Sequence, residues 1–591
     1  MTIKNLDNYL LYLFILILPV FLYSQIAFTV IVIITILLIK AVKIVLTGNI
    51  TLSRGSFDLP VLLVSLSYIL STIFVTPDKM AAFISPATTT VVVFGAIIYF
   101  LVNQINLDEK RNVTYFLFGG IVIYSIFILL SATKIITGFS VYSSFLESSL
   151  FIAPLIPILS SVIFKQKDFA YKFFAAVSLL ITLFALLISI FSTKLNYPSF
   201  KVSLNIATNV LKQNPILGIG SSNYLEGFNK YRPIDYNKTN IWSSKFTQGS
   251  SFLITNLTET GILGSALFLT LIAFFVKFTV TEVKNRRMVG WGLIGLLDLL
   301  SIALSFIALI LFPSFPIQIF TLFLMLGIIS DSKKYEYVMP TRIASLFILL
   351  PLLILISLIS YKVYLLGYAE LNYQKSLKTL SNNKARETYD LLQKAIKLNS
   401  KVDRYHQILA SVNFAIANSL SQNKEITNNE KDQITLLVQE SINEAKAAVA
   451  LNNKKSENWE FLAKTYHLLI PFAKGSDQFA INSYKEAVAL DPINPSLRIK
   501  LGEVYMLQKD YKNTIETFKL AVLAKDDLPN AHFNLAIAYK ENGEIENAKT
   551  ELNKTISLIN LNTNLKDYKT AKKELDKLNN PTIESQTEVA N

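Results

Sequence analysis

The chain has 591 residues, more than one hydrophobic core normally organises, so at least two domains are predicted. Hydrophobic residues make up 52% of it, and the mean hydropathy of +0.42 excludes an ordinary soluble protein. The absence of cysteine excludes disulfides and thiolate metal sites, and all three histidines lie in the last third of the sequence. We therefore predict a polytopic membrane protein with no metal site and no other cofactor.

The formal net charge is +14, and most of the basic excess belongs to the first 360 residues. Because these residues are also the apolar ones, the charge argues against nucleic acid as a partner. Basic cytoplasmic loops explain it better, together with attraction to membrane lipids and to an anionic, lipid-linked ligand.

Eleven apolar segments follow one another through residues 1–362, and most have the ~17–25 residues that a helix needs to cross a bilayer. We predict an all-α membrane domain of about eleven transmembrane helices, in which 316–330 is the shortest segment. The segments lie at 8–23, 26–46, 58–75, 84–102, 113–133, 148–164, 172–192, 251–277, 289–312, 316–330 and 343–362.

Lysine and arginine cluster in alternate connections between these segments, whereas the short connections on the other side carry only Lys79 and Lys134. The positive-inside rule then places the N-terminus in the cytoplasm. With an odd number of spans, the polar loop 193–250 and everything after residue 362 lie outside the cytoplasmic membrane.

After residue 362 the composition changes to a soluble, helical pattern rich in Lys, Glu, Ala, Leu and Asn. A set of five positions recurs after 34 residues, a period typical of stacked helix pairs. The set is Leu501, Gly502, Tyr505, Phe518 and Ala521, repeated as Leu535, Ala536, Tyr539, Leu552 and Thr555.

This pattern resembles the tetratricopeptide repeat family, with four or five repeats over roughly 365–575. The resemblance implies an α-solenoid domain at 363–578 whose concave face binds a protein partner. A plain helical bundle is the alternative. We predict that the polar tail 579–591 is disordered.

The loop 193–250 is basic and contains several aromatic residues. It includes Asn-Pro-Ile-Leu-Gly-Ile-Gly at 214–220, where Gly218 and Gly220 allow positive φ and a close approach of backbone N–H groups to phosphate. A tight structural turn is the alternative. Further along, Lys230 can bind phosphate, and Tyr231 and Trp242 can stack on sugar rings. A solvated basic surface is the alternative for these residues.

The 214–220 motif, the polar loop and Glu-Thr-Gly-Ile-Leu-Gly at 259–264 together resemble the O-antigen ligase/polymerase family. The resemblance implies a membrane glycosyltransferase that uses a glycan carried on undecaprenyl diphosphate or a similar lipid. It implies that Glu259 orients an acceptor hydroxyl or pairs with Arg232, and that Arg232 and Lys201 supply positive charge. The family's histidine is replaced near Ser250, and Lys201 stands near the position of its arginine.

The sequence thus predicts a glycosyltransferase or polymerase on the outer face of the cytoplasmic membrane, with Arg232, Lys201 and Glu259 as catalytic residues. Its tetratricopeptide domain would recruit protein partners. Two other functions stay open: a non-catalytic, membrane-anchored scaffold for cell-envelope assembly, and a transporter or flippase.

Overall fold

The structure is a computed structural model. It describes all residues except 1–5, 22–25, 85–87, 134–144, 166–167, 193–195, 285–287, 332, 339–341, 423–426, 561–563 and 581–591. Nearly all of the predicted disordered tail therefore lies outside the described residues. The chain divides into two compact units: residues 1–227 with 246–371, and residues 228–245 with 372–591.

The first unit is built from apolar helices, and each of the eleven predicted apolar segments coincides with helix in its described part. Within the described part of the chain, seven helical stretches are long and apolar enough to cross a membrane, and four apolar helices are shorter. The helices are α1 (Leu6–Phe21), α2 (Ile26–Thr47), α3 (Asp58–Phe74), α4 (Lys79–Phe83), α5 (Thr88–Asn103), α6 (Leu107–Ala132), α7 (Phe145–Ile152), α8 (Ile156–Lys165), α9 (Phe169–Ser192), α10 (Phe200–Gln213), α11 (Tyr224–Tyr231), α12 (Phe252–Lys284), α13 (Met288–Leu311), α14 (Pro316–Ile329) and α15 (Arg342–Ser381).

Three features of this unit differ from the sequence prediction. The segment 148–164 is divided between α7 and α8 by a 3₁₀ turn, Ala153–Leu155, because Pro154 and Pro157 lack the N–H groups that a continuous helix would use. The predicted loop 193–250 contains, in its described part, helix α10, helix α11 and a 3₁₀ turn, Ile234–Lys238.

The third difference is a small sheet in a chain predicted to be all-α. Strands β1 (Asn49–Arg54) and β2 (Lys333–Val338) pair antiparallel, with Leu52 opposite Tyr335. Charged and aromatic residues alternate along β2, a period of two that favours a strand. Both segments join apolar helices, so the sequence analysis treated them as connections.

The second unit is a succession of helices that pack as neighbouring pairs, most closely α17 with α18, α19 with α20, α21 with α22 and α23 with α24. Its helices after α15 are α16 (Ala385–Leu398), α17 (Asp403–Ser421), α18 (Asn428–Leu451), α19 (Ser456–Leu469), α20 (Ser476–Leu490), α21 (Pro495–Leu507), α22 (Tyr511–Ala524), α23 (Pro529–Glu541), α24 (Ile545–Leu558) and α25 (Leu565–Asn579).

One hydrogen bond recurs at the start of the first helix in several pairs. The fourth residue of α17, α19 and α23 is His406, Trp459 and His532, respectively. In each case a ring N–H donates to the backbone carbonyl six residues earlier, at 2.9, 2.8 and 2.9 Å. The bond fixes the turn that precedes each of these three helix pairs. Its recurrence indicates that the pairs are repeats of one helix-pair motif.

The two histidines in these positions also face carboxylates. Burial alone would lower the pKa of His406, but its hydrogen bonds to Glu444 and to the Ser400 carbonyl outweigh burial and raise the pKa. Burial is likewise outweighed at His532, whose pKa is raised by Glu551 and the Asp526 carbonyl. The folded unit therefore holds both protons more tightly than the unfolded chain.

This linkage predicts a pH dependence of stability. The stabilisation by both pairs is complete below the unfolded histidine pKa of about 6.5 and is lost as pH rises through the higher folded-state pKa. We expect the unfolding temperature of the full chain in detergent to fall over this range, and His406→Gln with His532→Gln to flatten the fall. His467→Gln is the control, because burial lowers the pKa of His467. An unchanged slope in the double variant would contradict the assignment.

Candidate functional site

The two motifs at the ends of the 214–264 stretch interlock within the first unit. Helix α12 is broken at Gly261, which has φ 67° and ψ −160°. A broken helix leaves carbonyls without partners before the break and N–H groups without partners after it. Residues 215–220 supply both kinds of partner. Four backbone bonds result: Ile219 N–H to Thr258 O (3.0 Å), Gly220 N–H to Glu259 O (3.0 Å), Ile262 N–H to Pro215 O (2.9 Å) and Leu263 N–H to Ile216 O (3.1 Å).

Gly218 and Gly220 have positive φ, 65° and 100°, as the sequence predicts. Their backbone N–H groups, however, do not point to an open site. That of Gly218 donates to Asn214 O at 3.1 Å, and that of Gly220 is used in the interlock. Both N–H groups thus donate to backbone carbonyls, and the segment forms the tight structural turn that was the alternative to a phosphate site.

Glu259 lies directly before the break and is almost fully buried, with 1% of its surface exposed. Its carboxylate accepts hydrogen bonds from the backbone of Ser222 and Tyr224 and from the Thr88 hydroxyl, whose Oγ1 lies 3.4 Å from Oε2. Among the described residues, Oε1 has no hydrogen-bond partner. The carboxylate is thus held by Thr88 and by the backbone of Ser222 and Tyr224, while Oε1 is a buried oxygen whose hydrogen-bonding capacity is unused among the described residues.

A cavity of about 180 Å³ adjoins this carboxylate. Its lining includes six residues with polar side chains, and the rest is mainly apolar: the six are Thr88, Thr247, Gln248, Thr255, Glu259 and Ser314. No lysine or arginine is found among the described residues that line it. The cavity can therefore bind a small hydroxyl-bearing group, but it offers no cation to a phosphate.

Two other predicted site residues of this unit do not line the cavity. Lys201 is exposed on α10, whose opposite face is buried. The Ser250 backbone N–H donates to the Ser203 hydroxyl at 2.9 Å, and the Ser250 hydroxyl is buried without a partner among the described residues. Ser250 therefore positions the chain before α12.

Residues 228–245 belong to the second unit, and Arg232 is buried there. One of its terminal nitrogens, Nη2, lies 2.7 Å from Asp491, and Nη1 donates to the Asn229 carbonyl at 3.1 Å. Within the second unit the charge of Arg232 is therefore matched by a carboxylate that directly follows helix α20. Lys245 lies 2.6 Å from Glu457 and 3.6 Å from Asp491.

Asn237 and Trp242 bind the same unit. The Asn237 side-chain amide donates to the carbonyls of Ile493 (2.7 Å) and Ala524 (2.8 Å), and its own carbonyl accepts from Lys525 at 2.7 Å. The Lys525 ammonium lies 5.1 Å from the centre of the Trp242 ring, a cation–π contact. Trp242, predicted to stack on sugar, faces a lysine of its own chain.

Lys230 is exposed, and its ammonium lies 5.4 Å from the centre of the half-buried Tyr231 ring. Of the predicted set, Glu259 lines a cavity in the first unit, and Arg232, Lys230, Tyr231 and Trp242 belong to the second. Sequence reasoning missed Asp491 and Lys525, which directly follow repeat helices, and Glu457, the second residue of α19.

Sequence comparison identifies tetratricopeptide repeats in the second unit. A family model described as TPR repeat matches residues 470–509, and one described as tetratricopeptide repeat matches residues 529–562. The C-terminal region is therefore a tetratricopeptide repeat region, a class that mediates protein–protein interaction. No curated protein matches the chain.

Several solved structures are similar to about a third of this chain. The crystal structure of the MamA protein is 17% identical, with 32% of this chain and 91% of that chain covered and a TM-score of 0.27. A thermophilic TPR protein from Thermus thermophilus is 18% identical over 34% and 98% of the chains, with a TM-score of 0.25. YrrB, a TPR protein with an unusual peptide-binding site, is 15% identical over 34% and 90%, with a TM-score of 0.25.

Proposed function

We propose that the protein is a glycosyltransferase or polymerase of the cytoplasmic membrane that acts on a lipid-diphosphate-linked glycan. In this proposal the N-terminus is cytoplasmic and the tetratricopeptide region, which recruits protein partners, lies outside. The observation that carries it is the Glu259 carboxylate, which lines a cavity and has one buried oxygen, Oε1, without a hydrogen-bond partner among the described residues. The resemblance of the interlocked motifs to the O-antigen ligase/polymerase family supports the same reaction class.

In the proposed reaction an acceptor hydroxyl binds to Oε1 of Glu259. The hydroxyl oxygen forms a bond to the anomeric carbon of the donor sugar, and the bond from that carbon to the diphosphate oxygen breaks. The electron pair of the broken bond leaves with the lipid diphosphate, and the hydroxyl proton passes to Glu259. At about 180 Å³ the cavity is smaller than the ~300–1,000 Å³ pockets that enclose drug-sized ligands, so it suits one sugar ring.

The lack of available positive charge around the cavity favours a second function, that of a non-catalytic membrane-anchored scaffold. A departing diphosphate needs electrostatic stabilisation. The described lining of the cavity contains no lysine or arginine, and the charge of Arg232 is already matched by Asp491. In a scaffold, Glu259 would serve only to hold the first turn of α11.

Glu259→Gln distinguishes the two functions. If Glu259 accepts the proton, removal of its charge should lower surface glycan by roughly 10²–10⁴-fold, the usual contribution of a general base. Glu282→Gln, in the same helix but outside the cavity, is the matched control and should have no effect. The measurement is surface glycan in cells that produce equal amounts of each variant.

A reporter enzyme that is active only outside the cytoplasm, fused after Asn579, provides the control for amount and orientation. Its activity should be equal in wild type, Glu259→Gln and Glu282→Gln. Normal glycan in Glu259→Gln, with a defect only after deletion of residues 372–591, would replace the transferase by the scaffold. Activity of a second reporter enzyme, one that works only in the cytoplasm, fused at the same position would refute the orientation.

A further inference from the structure

Four buried residues occupy the same place in successive helix pairs, directly after the last residue of α16, α18, α20 and α22. Their backbone φ angles are similar, at −151°, −146°, −133° and −154°. Asp491 and Lys525 are separated by 34 positions, the length of one repeat. We name these residues the cap positions: Asn399, Asn452, Asp491 and Lys525.

The first two cap positions are satisfied locally. The side-chain oxygen of Asn399 accepts from the Lys401 N–H at 3.2 Å, and that of Asn452 accepts from the Lys454 N–H at 3.0 Å. These are short turns in which asparagine bonds the backbone two residues later. An uncharged side chain is therefore sufficient to end the helix at this place.

The last two cap positions carry opposite charges, and both bind residues 228–245. Asp491 is fully buried and pairs with Arg232 and Lys245. Lys525, 8% exposed, donates to the Asn237 carbonyl and also lies 2.6 Å from Asp527 of its own turn. Since a buried charge is costly unless it is paired, Asp491 is suited to a basic ligand and not to helix capping alone, whereas Lys525 is paired locally and donates to the ligand in addition.

Asn237 joins the two repeats through their main chains. Its side-chain amide donates to the carbonyl of Ile493, two residues after Asp491, and to that of Ala524, directly before Lys525. Main-chain contacts of this kind give affinity, whereas the charged pairs beside them select the ligand. The contact therefore has the two components of a peptide-recognition site.

Glu457 adds a third charge to this surface. It accepts from Lys245 at 2.6 Å and from the Asn229 side chain at 3.0 Å. Burial would raise the pKa of Glu457, but Lys245 outweighs burial and lowers it. Burial would lower the pKa of Lys245, but Glu457 and Asp491 outweigh burial and raise it. Each charged form thus stabilises the other.

We infer that the surface formed by Glu457, Asp491 and Lys525 is a peptide-binding site of the repeat region, and that residues 228–245 are its resident ligand. The external partner that fits this site is a protein segment with arginine or lysine for Asp491 and Glu457 and an amide side chain for the two main-chain carbonyls. Such a partner competes with residues 228–245, so the repeat region binds it only as the resident segment leaves.

A fluorescent synthetic peptide of residues 228–245, added to the full-length chain in detergent, tests this inference. We expect weak binding to wild type, because the site is occupied. The variant R232A/K245A, with a weakened resident segment, should bind the peptide at least tenfold more tightly. Adding Asp491→Asn should abolish that gain. Glu486→Gln removes an exposed carboxylate of helix α20 and should leave the gain intact.

Equal binding to wild type and R232A/K245A, or binding that Asp491→Asn does not weaken, would overturn the inference. A second measurement guards against misfolded variants. Hydrogen–deuterium exchange of residues 228–245, without peptide, should be slow in wild type and Glu486→Gln and at least tenfold faster in Asp491→Asn. Equal exchange in all three proteins would mean that the charged cap position does not hold the segment, and would also overturn the inference.

Discussion

Gly218→Ala and Gly261→Ala are each expected to destabilise the first unit by about 2–5 kcal/mol. Both glycines have positive φ, 65° and 67°, which costs a residue with a Cβ about 1–2 kcal/mol. A Cβ at Gly218 would lie 2.3 Å from Thr258 O, and one at Gly261 would lie 2.4 Å from Ile216 O. Because these neighbours are backbone atoms of the interlock, relief requires moving a segment, at a further ~1–3 kcal/mol.

Alanine variants of two other glycines separate the backbone cost of positive φ from the steric cost of the added Cβ. Gly48 has φ 70° and no atom within 4 Å of an added Cβ, so Gly48→Ala measures the backbone cost alone. Gly367, in helix α15, has no positive φ and no such neighbour, so Gly367→Ala should be neutral or slightly stabilising. The measurement is the unfolding temperature of each variant in detergent. Equal temperatures for Gly218→Ala and Gly48→Ala would contradict the close approach.

The interlock shows where sequence reasoning stops. The two glycine-containing motifs and the positive φ at Gly218 and Gly220 are predictable, because glycine is the residue that tolerates that backbone region. Which atoms come close to such a glycine is a tertiary property. The backbone N–H groups of the turn donate instead to carbonyls that lose their helical partners at the break in α12. No local sequence pattern shows that this break lies beside the turn.

The charged residues illustrate a second limit. In the sequence, Arg232 and Glu259 lie near each other and have opposite charges, which makes them a natural pair. The structure pairs Arg232 instead with Asp491, far along the chain. Asp491 follows a repeat helix at the place where two earlier repeats have asparagine and the next has Lys525, so a position-by-position comparison of the repeats singles out both charged residues. The repeats could be predicted from the sequence, because a 34-residue period reflects a pair of helices that forms from neighbouring residues and recurs along the chain.

The repeats also contain a volume compensation that predicts a large stability effect. Gly502 in α21 faces Phe518 in α22, with an added Cβ only 2.3 Å from the phenyl ring. At the corresponding places in the next pair, Ala536 and Leu552 share one buried cluster. A larger residue on the first helix is thus accompanied by a smaller one on the second.

Gly502→Ala alone should therefore destabilise the second unit by about 1–3 kcal/mol, since Phe518 is 1% exposed and cannot turn away. Phe518→Leu alone should leave a small void and also destabilise. The double variant reproduces the pair found one repeat later, so it should be more stable than the sum of the single effects predicts, by about 0.5–3 kcal/mol. Unfolding temperatures of the four proteins complete the cycle, and strictly additive effects would show that the two helices do not adjust their volumes together.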